Sequence, residues 1–224
     1  EFCSYTDLTN DGDNTNDTTC LDATGMAVIE PQYVTNFDTV DVFLSNGGFD
    51  QWEKGVPAGS VINSSWSPVN CWMVDLDADY QNNSNDYLYS PFFDFSSTID
   101  AELSFRHFMH SQANVDGGRV EYTNDGGDTW QVLGDVNDPN SANWYTDDVL
   151  SASGLPAWEG IFSGWLLSTY DLSFLNNNSG LVQFRFNFAS NASSNSFDGW
   201  AIDDFRVNVP ITLTAATTNP STAI

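Results

Sequence analysis

Residues 181–188 read LVQFRFNF. Val182, Phe184, Phe186 and Phe188 alternate with Gln183, Arg185 and Asn187. That is the period of two of a β-strand with its apolar side on a core and its polar side turned away. Residues 101–110, AELSFRHFMH, repeat the pattern, with Leu103, Phe105, His107 and Met109 on one face. GRVEYT (118–123) and TWQVL (129–133) flank a turn as a hairpin. DYLYSPFFDF (86–95), SGWLLSTYDL (163–172) and GWAIDDFRV (199–207) complete the set. Turn-rich segments separate these runs, and no stretch sustains a helical period. Many strands without alternating helices predict an all-β fold, a two-sheet antiparallel β-sandwich of the jelly-roll kind. No repeat of 20–50 residues is visible, which argues against a solenoid or propeller.

Outward from this core, residues 1–36 read as a polar appendage. LTNDGDNTNDTTC (8–20) is turn chemistry throughout. Asp11, Asp13 and Thr15 imitate the start of an EF-hand, but the glycine and the distal glutamate are misplaced, so a solvated loop is expected. MAVIEPQYV (26–34) reads as a short strand carrying an edge-type Pro31. Residues 37–209 form the predicted sandwich. The Thr- and Pro-rich residues 210–224 read as a linker or the first strand of a following module. The chain begins at Glu1 rather than Met and reads as a piece of a longer protein.

Composition narrows the function classes. The 224 residues include 31 acidic and five basic ones, for a net charge of −26. Such a field repels nucleic acids and anionic membranes, which need clustered cations. No apolar run of about 18 residues is present, so membrane insertion is not expected. Hydrophobic content of 41% and aromatic content of 14% are enough for a packed core. The scarcity of lysine among many Asn, Ser, Thr, Asp and Gly residues suits a secreted or cell-surface protein. Cys3 and Cys20 bracket a loop and can pair in an oxidising compartment, or remain free with Cys71.

Within the hairpin, Thr123, Asp125, Gly127, Thr129 and Trp130 spell T-x-D-x-G-x-T-W. This spacing resembles the Asp-box of sialidases. Asp125 can accept backbone hydrogen bonds of its own turn, Gly126 and Gly127 supply positive φ, and Trp130 folds back over the hairpin. A sialidase needs several boxes and an arginine cluster; one box and four scattered arginines leave only a turn.

Seven segments, taken in order, carry a broader resemblance: GGFDQWE (47–53), NSNDYLYSPFFDFS (83–96), AELSFRHFMH (101–110), GGRVEYTNDGGDTWQVLG (117–134), FSGWLLSTYDLS (162–173), LVQFRFNFASN (181–191) and DGWAIDDFRV (198–207). Together they resemble the MAM domain and its bacterial jelly-roll relatives in secreted or surface proteins of Bacteroidetes. The paired cysteines of animal MAM domains are missing. The resemblance implies a two-sheet jelly roll for adhesion or binding and no catalytic residues.

Candidate sites follow from chemistry that is costly without a partner. Asp203 and Asp204 lie between Ile202 and Phe205, and burying adjacent acids needs compensation. Calcium, a hard cation taking oxygen ligands, is a natural one. In jelly rolls that resemble this one, first and last strands bring such a site together. That implies Asp50 and Glu53, with Asp198, as further ligands of a structural calcium. Hydrogen bonds to neighbouring backbone and arginine are the alternative. The long irregular segment 138–165 holds Trp144, Tyr145 and Trp158 beside Asp147, a composition suited to stacking on sugar rings and holding hydroxyls. Loop tryptophans also plug the ends of sandwiches. Trp165 opens an apolar strand and is assigned to the core.

His107 and His110 fall on opposite faces of a strand and do not share a zinc. No G-x-S-x-G, H-E-x-x-H or Walker loop is present. Glu121 and Glu159 stay open as an acid pair. The expectation is a non-catalytic, calcium-stabilised adhesion or carbohydrate-binding module, with a polysaccharide, a glycan or another surface protein as partner. A structural spacer or protein-interaction module is one alternative; a carbohydrate-active enzyme domain is the other.

Overall fold

A computed structural model describes residues 25–40, 42–45, 51–193 and 196–209, together with the backbone of 2–5 and 18–21. The chain opens with a hairpin of β1 (Phe2–Tyr5) and β2 (Thr18–Leu21). Short strands β3 (Val28–Ile29), β4 (Tyr33–Thr35) and β5 (Leu44–Ser45) follow, then β6 (Trp52–Gly55) and β7 (Cys71–Val74). The long strands are β8 (Asn85–Asp94), β9 (Glu102–His110) and β10 (Gly117–Thr123). The two-residue strands β11 (Gln131–Val132), β12 (Ser141–Ala142) and β13 (Trp158–Glu159) come next. β14 (Leu166–Asp171), β15 (Leu181–Ala189) and β16 (Gly199–Asn208) complete the fold.

The expected all-β, two-sheet sandwich is what the chain forms. The first sheet runs β11-β10-β15-β8-β3, with β13 on β10 and β5 on β8. The second runs β12-β14-β9-β16-β7-β6, with β4 on β16. The pairing is antiparallel except for β3 beside β8. The core between the sheets is aromatic. Val182, Phe184, Phe186 and Phe188 of β15 face Leu103, Phe105, His107 and Met109 of β9 across it. The alternation read in both segments is therefore the fold's inward face.

Two expectations change. The polar side of β15 is also covered: Gln183 and Asn187 are buried. Their amides bond within the sheet, Gln183 Nε2 to the Ser90 carbonyl at 2.7 Å and Asn187 Nδ2 to Asn85 Oδ1 at 3.0 Å, so burial leaves these donors satisfied. The boundary at residue 37 also moves. β3 joins the first sheet and β4 the second, so residues 28–35 belong to the sandwich. Pro31 falls between the two strands, where no ladder hydrogen bond is required of it. Within the amino-terminal hairpin, Cys3 stands opposite Cys20 in backbone register. The pairing of their side chains, the loop around Asp11 and Asp13, and residues 210–224 lie outside the described residues.

Candidate binding face

The aromatic platform expected on the long loop is not where these rings go. Trp144, Tyr145 and Trp158 are all buried, Trp158 fully. Trp158 packs on Tyr145 and His107 at ring-centroid distances of 4.6 Å each. The polar tips find internal acceptors: Trp144 Nε1 donates to the Leu133 carbonyl, Trp158 Nε1 to that of Asn143, and the Tyr145 hydroxyl to that of Val120. These rings plug the sandwich, since apolar area gains more from the core than from water and their polar tips stay bonded. Asp147 alone of that group stays at the surface, where its carboxylate accepts from the Val149 N–H; with Asp135 and Asp148 it lines a polar cleft.

Among the described residues, the carboxylates expected to hold calcium are each engaged by separate partners. Asp198 is buried, and its carboxylate accepts the amides of Ser60, Val61 and Ile62 and the Ser60 hydroxyl, at 2.6–3.1 Å. Asp203 accepts the Ser67 amide and hydroxyl and the Asp204 amide, at 2.7–2.9 Å. Asp204 faces Arg106 and Arg206 at 3.9 and 3.7 Å. Glu53 is exposed and accepts the Leu76 amide. Asp50 lies outside the described residues. Among those residues, no three His, Cys, Asp or Glu side chains gather around a common point. Oxygens already filled by amide and hydroxyl donors do not fit a cation cage. The expected alternative, backbone and arginine partners, is the arrangement present.

His107 sits in the core with both ring nitrogens occupied. Trp200 Nε1 donates to Nδ1, and Nε2 lies 2.9 Å from Ser168 Oγ, which itself donates to the Asn143 carbonyl. His107 is thus neutral with its proton on Nε2, and burial lowers its pKa to about 3. Burial likewise pushes the Cys71 thiol up, which makes it inert.

The face that combines rings with polar groups is the outer side of the first sheet. Arg119, Asn187 and Tyr87 stand in one cross-strand row of β10, β15 and β8. Glu121, Arg185 and Tyr89 stand in the next. Directly opposed residues share a face, so all six project together, away from the core. Glu121 is gripped from both sides: Arg119 Nε donates to Oε1 and Arg185 Nε to Oε2, each at 2.7 Å. The Arg185 guanidinium lies 4.0 Å from the Trp130 ring centroid and 4.2 Å from that of Tyr87. Tyr89 meets Trp130 edge-on at 5.7 Å. Tyr87, Tyr89, Trp130 and Arg185 are half-buried.

The Asp-box places Trp130 there. Asp125 accepts the Thr129 amide and the hydroxyls of Thr123 and Thr129, which holds its carboxyl well below the usual range. Gly126 and Gly127 take φ of +81° and +104°. The box is the turn read from sequence, and Trp130 reaches across β10 to lie on Arg185 of β15. Of these face residues, only Glu121 is a candidate from sequence, as half of an acid pair, and none is assigned to ligand binding there. The signal was the i, i+2 pair Tyr87 and Tyr89, in phase with Arg185 once the strands are registered.

Catalysis by the open acid pair loses its support. Glu121 is locked between two arginines, and Glu159 accepts the Asn114 amide. Glu159 pairs opposite Gly117, four residues from Glu121 along β10. At about 3.3 Å per residue their backbone positions are roughly 13 Å apart along the strand, and each carboxylate is engaged by a different partner.

No protein-family model matches the sequence, and comparison with curated proteins finds no match. Among solved structures, the K1 cleaved adhesin domain of Lys-gingipain from Porphyromonas gingivalis W83 is similar at 14% identity and a TM-score of 0.44, over 80% of this chain and 98% of that one. A xylan-binding domain of carbohydrate-binding module family 22 is similar at 10% identity and a TM-score of 0.46, over 79% and 93%. A family 6 carbohydrate-binding module is similar at 10% identity and a TM-score of 0.41, over 84% and 100%. At these identities the likeness is one of strand architecture.

Proposed function

We propose that this chain is a non-catalytic carbohydrate-binding module of a larger secreted or cell-surface protein, and that a glycan lies across the outer face of the first sheet. The observation carrying this reading is the set of half-buried rings, Tyr87, Tyr89 and Trp130, fixed around Arg185 beside Glu121, Arg119 and Asn187. Rings supply flat apolar area for sugar C–H faces, and the polar groups beside them set orientation. Both kinds of group ride on paired strands and one locked turn, so little ordering cost remains at binding. The MAM-like resemblance of residues 47–207 points to the same kind of extracellular adhesion role.

A retention screen over a broad panel of polysaccharides and glycans tests the reading. Selective retention of one class by the wild type, with loss of about tenfold or more in Trp130→Ala, is expected. Trp144 and Trp158, which the sequence favoured for this role, are unsuitable probes because their removal opens the core. A blank panel with folded protein would favour the spacer or protein-interaction alternative.

A further inference from the structure

Resting on the glycan reading of this face, we propose that its ligand carries uronic acid, and that the Arg119 guanidinium anchors the carboxylate. The argument begins with charge. Glu121 is one anion held by two arginines, so the cluster carries one excess positive charge. One arginine would neutralise Glu121. The second is 6% exposed, in a chain with only five Lys and Arg against 31 acidic residues. A nearly buried excess cation is costly unless an anion meets it.

Donor geometry points the same way. Arginine has five N–H donors in a planar fork that matches a carboxylate. Arg119 spends its Nε on Glu121, and among the described residues its two Nη nitrogens meet no acceptor. Next to it in the same row, the Oδ1 of Asn187 is buried without a hydrogen-bond partner. Asn187 Nδ2 is spent toward β8, on Asn85 and the Asp86 carbonyl. An unfilled guanidinium fork beside an unfilled carbonyl suits a uronic acid: carboxylate to Arg119, ring hydroxyl donating to Asn187. The net charge of −26 sets a further limit. Screening acts over a Debye length of about 8 Å at physiological salt, so a continuous polyuronate is repelled where a single acid branch on a neutral backbone is not.

Titration of the folded chain with glucuronate and galacturonate, against glucose and galactose, tests this independently of any backbone preference. Side-chain signals of Arg119 and Asn187 are followed by NMR. The uronates should shift them at concentrations at least about tenfold below the neutral sugars, with the advantage shrinking as salt is raised. Arg119→Gln, with its fold checked by circular dichroism, should lose the uronate response; should that variant not fold, the sugar comparison on the wild type still decides. Equal response to uronates and neutral sugars would overturn the carboxylate anchor while leaving the glycan face standing. So would an unchanged uronate response in folded Arg119→Gln. Silence toward all four sugars would overturn the anchor too, and the polysaccharide panel then decides separately whether the face binds glycan at all.

Discussion

Trp158 touches Phe105, His107, Trp144, Tyr145 and Trp200, with ring centroids 4.6–5.8 Å away. Such a residue is a keystone of packing. Trp158→Ala is expected to lower stability by about 3–5 kcal/mol, the usual cost of truncating a buried large aromatic. Urea denaturation reads this directly, and an unchanged midpoint would return Trp158 to the surface role first expected of it. The residue scale is also where sequence was least legible. A loop of tryptophans among Asn and Asp has the same composition whether its rings stack on sugar or close a sandwich. What separates the two is an acceptor for each indole N–H, here carbonyls of Leu133 and Asn143, and a backbone carbonyl leaves no mark in sequence. His107 was legible because its in-phase neighbours Phe105 and Met109 fix its side of the strand.

At the scale of elements, the segment from Gly59 to Asn70 is fastened by three aspartates. Asp198 takes the amides of residues 60–62, Asp203 that of Ser67, and Asp38 those of Val69 and Asn70. Beneath the segment lies a second small core of Ile62, Cys71, Met73 and Ala201. Asp198→Ala strips four donors of their acceptor at once, and a hydrogen bond to a charged group contributes about 1.5–3 kcal/mol. The expected loss is about 3 kcal/mol or more, with faster amide exchange at Ser60, Val61 and Ile62 than in the long strands. Protection at those three amides that survives the substitution would refute the clamp. The strands themselves were legible, because a period of two is local. The clamp was not: Asp203 and Ser67 are 136 residues apart, and the expense of the buried acids was visible while their partners were unremarkable backbone amides.

For the whole molecule, the clamps imply opposed responses to pH. Desolvation raises the Asp203 pKa from 3.8 to about 6, against the opposing hydrogen bonds from Ser67 and Asp204. A carboxyl with a raised folded pKa contributes stability that is complete below about 3.8 and is lost as pH climbs through 6. Asp198 is also desolvated, but the amides of Ile62, Val61 and Ser60 prevail and hold its pKa below 3.8. Its contribution is present above that value and lost as pH falls further. The wild type should therefore lose stability from pH 4 to 6.5 relative to Asp203→Asn, as followed by urea midpoints across that range. Parallel profiles for the two proteins would show that Asp203 does not titrate in this window. Growing self-repulsion among the carboxylates acts in the same direction in both proteins, so the comparison cancels it.

The passage of the chain through Pro31 has a mechanical meaning. β3 is laid on one sheet and β4 on the other, within eight residues from Val28 to Thr35. Tension entering at residue 25 reaches ladder hydrogen bonds of both layers almost at once. The load is divided between the sheets instead of peeling one of them open from its edge.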